Sequence, residues 1–293
     1  MRIGRETAFW LLVVATFICC VIMPRAAEAA YSVGFKSNVI EITSPNRNLI
    51  ELSGDLTVTG KTSLEQVWLA VRGPGGEIET YPVYPVKGSF TQKMSLRFGK
   101  GTYTVWAGDN PRQFDGTIRF QVINKTEEDR RYLAPSAYVD ADDQEIVKLA
   151  ASITAACKTE TQKARAIHDW VAGNIVYDTD RLTSNDLSLS TASSTLRERK
   201  GICSGYAFLT AALARAVGLE ARVVYGQAAN DSWMRQYHAW NEIKVDGRWV
   251  PVDTAWDAGY VKDGRFVKRV GDRYYDNAGV FAETHLADSY AVY

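Results

Sequence analysis

The sequence predicts an α+β protein in which an N-terminal immunoglobulin-like β-sandwich is followed by a helix-rich α+β domain. Two observations carry this expectation. Across residues 39–124, β-branched and aromatic residues alternate in short runs and no helical period appears. Beyond the polar, charged stretch 125–129 the apolar spacing becomes that of amphipathic helices. At 293 residues the chain is long enough for two modest domains, expected at 31–124 and 136–293.

In the first half, LTVTG, VWLAVRG, ETYPVYPV, SFTQKMSL, TYTVWAG and TIRFQVI read as strands, divided by Gly, Pro, Asn and Asp clusters. Gly73-Pro74-Gly75-Gly76 marks a turn between two of them. Short strands at this density, roughly one per 15 residues, suit a two-sheet sandwich. Trp68 and Trp106 sit within the alternating patterns and are expected in the core; the competing role for them is to stack on sugar rings.

In the second half, Ile146, Val147, Leu149, Ala150 and Ile153 give residues 144–156 the i, i+3, i+4, i+7 spacing of a helix. Thr159 and Gln162 form a capping box that opens a second helix through Ile167, Trp170 and Val171. Residues 181–194, rich in Ser, Thr, Asn and Asp, read as an exposed loop. Asp140-Ala141-Asp142-Asp143 and Asp178-Thr179-Asp180 read as solvated acidic residues near helix starts, since the glycine and terminal Glu of a calcium loop are missing.

The first 29 residues read as a secretory signal. Arg2 and Arg5 precede an apolar run over 8–23, followed by Pro24 and the small-x-small site Ala27-Glu28-Ala29. The run is shorter than the about 20 residues a spanning helix needs, so no integral membrane segment is expected after cleavage. A secreted or cell-envelope location follows. Cleavage leaves Cys157 and Cys203, too few for a disulfide scaffold; Cys157, at a helix end, is expected to pack as a small hydrophobe. Lys plus Arg equals Asp plus Glu at 34 each, which gives no basis for a nucleic-acid partner. There is no Gly-rich phosphate loop and no metal-ligand spacing among three scattered histidines, so neither cofactor nor metal is expected.

GICSGYAFLTAALARAVGL starts with a glycine, presents Cys203, and continues as a helix closed by Gly218. Cys203 therefore stands at a helix N-terminus, where free N–H groups and the macrodipole favour a thiolate by about 0.3–1 kcal/mol. A stronger activator is an adjacent imidazole. HAWNEIKV and RWVPVDTA flank Asp246-Gly247, the dipeptide suited to a two-residue type I′ hairpin. Pairing Val245 with Arg248 sets Trp240 opposite Asp253 and His238 opposite Ala255. His238 and Asp253 then become diagonal neighbours on one face. Pro251, which cannot donate to a ladder, requires an edge position or an unpaired N–H side. Of the other histidines, His168 reads as a partly buried helix residue, and His285 lies in a helix-like tail, FAETHLADSY, without a spaced partner.

KGICSGYA and YHAWNEIKVDGRWVPVDTAWD resemble the cysteine and histidine–aspartate motifs of the transglutaminase-like superfamily, relatives of papain-type proteases. HDWVAGNIVYD and FAETHLAD are similar to flanking segments of its bacterial members, and the resemblance covers residues 137–293. It implies a papain/transglutaminase-like α+β domain with catalytic Cys203, His238 and Asp253. Cys203 would attack an amide carbonyl of a protein or peptide substrate, extracellular or in the cell envelope. His238 would move the proton and Asp253 would fix the imidazole tautomer. Thr254 stands where proline often follows the aspartate, a departure expected to affect the turn and not the chemistry. The fate of the thioester, hydrolysis or transfer to an amine, stays open. The Cys203 amide is one oxyanion donor and the second is not identified. The rival expectation is a non-catalytic binding or structural protein that uses the sandwich to hold an envelope polymer.

Overall fold

Eight strands come before the first helix in the computed structural model, which describes residues 32–184, 188–229 and 235–291. The expected signal at 1–29 lies outside the described residues. The strands are β1 (Ile40–Ser44), β2 (Ile50–Leu52), β3 (Asp55–Thr62), β4 (Val67–Arg72), β5 (Ile78–Val83), β6 (Ser89–Ser95), β7 (Gly101–Gly108) and β8 (Ile118–Asn124). They make a three-stranded sheet, β1-β3-β6, and a five-stranded sheet, β2-β8-β7-β4-β5. The alternation in sequence is the cause. Leu56 and Val58 of β3, and Ile118, Phe120 and Val122 of β8, are buried with more exposed residues between them, and both sheets feed one hydrophobic cluster.

Trp68 and Trp106 are half-buried, not core residues. Trp68 pairs with Gly108 and Ala70 with Trp106, so both rings lie on the face opposite Leu69, Val71 and Val105. The Arg119 guanidinium lies 5.4 Å from the Trp106 ring centre. Both faces of this strand pair carry large side chains, and a period of two cannot say which face is the core.

The helical half contains α1 (Gln144–Ile153), α2 (Glu160–Asn174), β9 (Val176–Tyr177), α3 (Thr179–Ser184), α4 (Ala192–Glu198), β10 (Lys200–Gly201), α5 (Cys203–Ala216), β11 (Ala221–Ala228), β12 (Gln236–Val245) and β13 (Arg248–Val252). It ends with α6 (Thr254–Ala258), β14 (Gly259–Lys262), β15 (Arg265–Lys268), α7 (Ala278–Thr284) and β16 (His285–Ala291). A four-stranded sheet, β13-β12-β11-β16, packs against α5, the most deeply buried helix, every residue of which from Ser204 to Arg215 is buried. The molecule is thus α+β.

Local chemistry explains these boundaries. The Thr159 hydroxyl accepts from the Gln162 amide at 3.2 Å, and Gln162 Oε1 accepts from the Thr159 amide at 3.3 Å, the expected capping box. The Asp143 carboxylate caps α1 by accepting from the amides of Glu145 and Ile146. Gly218, at φ 83°, closes α5: its amide donates to Arg215 and that of Leu219 to Ala214, a Schellman pair. The 181–194 segment is not a plain exposed loop. α3 reaches Ser184, α4 starts at Ala192, and Ala192 and Ser193 are buried. Thr191 caps α4 and Asp140 accepts from the Ser193 amide and hydroxyl, so these polar residues serve helix capping and a buried link. Asp140 is correspondingly not a freely solvated acid; burial raises its pKa.

Candidate active site

The residues just before Cys203 set its position. Lys200 and Gly201 pair in parallel with Val176 and Tyr177, and the chain turns into α5 at Ile202 without a side-chain cap. Cys203 is the first helical residue, as its sequence context predicts, and is half-buried. Gly205 leaves room for α4: a Cβ there would lie 2.9 Å from Thr195 Oγ1. Cys157 is also a free thiol, half-buried after α1.

The hairpin forms in the expected register, Val245 with Arg248 through to Asn241 with Val252. Asp246 (φ 50°) and Gly247 (φ 79°) both take the positive φ of a type I′ turn. Pro251 is tolerated because β13 is a sheet edge. The ladder stops at Asn241–Val252, short of the extrapolated Trp240–Asp253 and His238–Ala255 positions. Asp253 leaves it to become the N-cap of α6, so His238 has no partner at Ala255. The two side chains still meet: His238 Nε2 lies 2.7 Å from Asp253 Oδ2, both residues buried. With Nε2 so engaged, the other ring nitrogen is the one left for the Cys203 thiol, whose ionisation is tied to that of His238.

Buried polar links hold the three elements together. Asn241 of β12 donates to the Ala207 carbonyl of α5 at 2.9 Å. Thr210 of α5 and Thr254 of α6 join hydroxyls at 3.0 Å. Thr254 thus has a fixing role that a proline could not fill, which gives physical content to the departure from the motif. His168, fully buried, reaches Asp257 of α6 with Nε2 at 2.9 Å and Asp169 with Nδ1 at 2.9 Å. The helical pattern marks its position on α2 but underrates its burial, because its partner is 89 residues away.

His285 is the residue that sequence reasoning missed. It is not in a helical tail: α7 ends at Thr284 and His285 opens β16, paired with Ala228 of β11. From there its Nε2 lies 3.2 Å from Asp253 Oδ2, within a wall of Trp240, Trp256 and Phe281. The alternation in LADSYA is a weak strand signal; nothing local reveals the partner. Gly226 of β11 makes the approach of β16 possible, since a Cβ would meet the Leu286 carbonyl oxygen at 2.1 Å and Trp240 at 2.7 Å.

Among the described residues His238, Asp253 and His285 each offer one ligand atom, all within 4.8 Å of one another, which raises the question of a metal. Their N···O separations of 2.7 and 3.2 Å are hydrogen-bond lengths, so the groups close on each other and not on a shared ion.

The electrostatics follow from burial set against charge pairing. Burial opposes ionisation of Cys203, but its hydrogen bonds from His238 and the Ala239 amide, with the His238 charge, bring the thiol below its ordinary value. Burial also opposes charge on His238, and Asp253 outweighs it, pushing the imidazole up to about 10. Asp253 is held well below the usual carboxylate range, despite burial, by His238 and His285. These directions describe a thiolate–imidazolium pair backed by a carboxylate. Such a pair can attack a carbonyl and return a proton to a leaving group. The Tyr177 pKa is raised chiefly by burial and next by the charge of Cys203, which places the phenol in the electrostatic field of the thiol.

Residues 147–254 match the model of the transglutaminase-like superfamily, so the resemblance carried by the motifs is shown for the segment that holds Cys203, His238 and Asp253. Among particular proteins, the chain is 28% identical over 141 residues to kyphoscoliosis peptidase of Mus musculus and of Homo sapiens. That alignment covers 45% of this chain, and the chain spans about a fifth (21%) of the length of those relatives. Solved structures similar to it include a candidate cysteine protease from Cytophaga hutchinsonii (17% identity, TM-score 0.42, 89% of this chain and 74% of that one). Another is the periplasmic domain of TgpA from Pseudomonas aeruginosa (16% identity, TM-score 0.35, 71% of this chain and 74% of that one).

Proposed function

We propose that this chain is an exported cysteine enzyme that acts on amide bonds of protein or peptide through a thioester on Cys203. The observation that carries the proposal is the buried His238 Nε2–Asp253 Oδ2 contact at 2.7 Å, next to Cys203 at the head of α5, whose ionisation His238 favours.

The Cys203 thiolate attacks the amide carbonyl, giving a tetrahedral oxyanion. The C–N bond then breaks as His238 delivers its proton to the leaving amine, leaving an acyl thioester on Sγ. Water attacking that thioester releases a carboxylate; an amine attacking it forms a new amide. In either case His238 takes the attacking group's proton and the thiolate departs. The Cys203 amide is one oxyanion donor, and we propose the Tyr177 hydroxyl, whose ionisation is tied to that of Cys203, as the second. Asp253 keeps the imidazole oriented. Because the curated relatives are named peptidases, hydrolysis is the first outcome to assay.

The two sheets formed by residues 40–124 have the strand content of an immunoglobulin-like sandwich, and we propose that identity for them. The half-buried Trp68 and Trp106 on one outer face favour a second, non-catalytic role for that region, stacking on a polymer of the cell envelope.

The test is incubation of the mature protein with a glutamine-containing protein, with and without a tagged primary amine. Amine incorporation indicates transfer; new carboxylate or chain cleavage indicates hydrolysis. Either activity should vanish in Cys203→Ala, and turnover that persists in that variant rejects the proposal.

A further inference from the structure

The proposed thioester chemistry makes no use of His285, yet His285 meets Asp253 directly. Asp253 is fully engaged. Its Oδ1 accepts from the amides of Ala255 at 3.0 Å and Trp256 at 3.1 Å; its Oδ2 accepts from His238 at 2.7 Å and His285 at 3.2 Å. Two imidazoles thus share one carboxylate oxygen.

Both ring nitrogens of His285 are engaged. Nδ1 lies 2.8 Å from Thr284 Oγ1, whose hydroxyl donates to the Val280 carbonyl at 2.5 Å. At Nε2 the partner is an ionised carboxylate, which only accepts, so Nε2 carries the proton that meets Asp253.

Aromatic rings hold it in place. The ring stacks on Phe281 at 4.3 Å between centres, and the rings of Trp256 and Trp240 lie at 4.7 and 4.8 Å. The charged and titratable groups near it among the described residues include Asp253 at the head of α6, His238 of β12 with Cys203 of α5 beyond it, and Arg235, whose guanidinium donates to the Thr284 carbonyl at 3.5 Å; the Tyr274 phenol lies at 5.9 Å.

On this geometry, and resting on the thioester reading of Cys203, we propose that His285 is a positioning residue. Its Nε2–H fixes Asp253 Oδ2 where His238 needs it and takes up part of the carboxylate charge. Without His285, the less shared charge of Asp253 opposes thiolate formation at Cys203 more strongly, and Oδ2 is held by one imidazole instead of two.

The test is alkylation of Cys203 by iodoacetamide in the mature protein, followed by mass spectrometry across about pH 5 to 10. The wild-type protein should titrate below the ordinary thiol midpoint of about 8.5. In His285→Phe the midpoint should rise by about one unit, so that labelling near pH 6 slows about tenfold. His285→Gln, which restores a neutral donor at the Nε2 position, should fall between the two. A loss of packing alone would lower the folded fraction and add a second labelling phase with the ordinary midpoint of about 8.5, while the midpoint of the folded phase stays in place. A wild-type midpoint in His285→Phe overturns the role of His285 while the functional proposal stands. If the Phe variant does not fold, His285→Gln decides: a raised midpoint supports the role and an unchanged one overturns it. An ordinary thiol curve in the wild-type protein rejects the functional proposal itself, independently of any variant.

Discussion

Nε2 of His168 lies 2.9 Å from Oδ2 of Asp257, the residue one helical turn after Asp253 on α6. A helix of five residues has little intrinsic stability. It is held at one end by Asp253, whose carboxylate caps it, and at the other by this buried contact with α2. His168→Leu leaves the Asp257 carboxylate without its imidazole and should cost about 3 kcal/mol, read as a lower urea midpoint at unchanged slope. An unchanged midpoint would show that α6 is held by other contacts.

The hydroxyl pair Thr210–Thr254 gives a second prediction. Either Thr→Val change alone leaves a buried hydroxyl unpaired and should destabilise by about 1–3 kcal/mol. The double variant should cost less than the sum of the two, with a coupling of at least about 0.5 kcal/mol in a double-mutant cycle. Strict additivity would mean that the 3.0 Å contact contributes nothing.

Stability should also depend on pH through His238. Its pKa is raised to about 10 in the folded protein from about 6.5 unfolded, so its contribution is fully present below about pH 6.5 and is lost as pH rises toward about 10. Asp253 has the opposite sign: lowered on folding, it contributes above its unfolded value of about 3.9 and loses that contribution as pH falls below it. The thermal midpoint of the wild-type protein should therefore fall between about pH 6.5 and 10 more steeply than that of His238→Gln. Parallel curves for the two proteins would contradict the pairing.

Gly226→Ala should displace β16, because the new methyl group would meet the Leu286 carbonyl at 2.1 Å and cannot be accommodated by a side-chain movement. The consequence reaches the site through His285, the first residue of that strand. Alkylation of Cys203 in Gly226→Ala should shift in the same direction as in His285→Phe. A wild-type profile in a variant of lowered stability would separate the strand from the site.

The extent to which all this was legible in the sequence follows the range of each interaction. Asp246-Gly247 fixed the hairpin register because a two-residue turn leaves no freedom in pairing, and Gly218 and the Thr159–Gln162 box marked helix ends because capping acts within one turn. Cys203 at a helix start was legible for the same reason. His285 and Asp257 were not, because their partners lie 32 and 89 residues away and no local period records them. Ser193 and Thr191 read as loop residues because capping and loop compositions are alike. Trp68 and Trp106 had the correct period but an ambiguous face.

The central claim is a covalent acyl intermediate on Cys203, and acid-quenched intact-mass spectrometry during incubation with a peptide or protein substrate tests it most directly. The prediction is an acyl adduct that maps to Cys203, accumulates when the acceptor is withheld, and is absent from Cys203→Ala. Substrate turnover without any adduct on Cys203, and undiminished in Cys203→Ala, would contradict it.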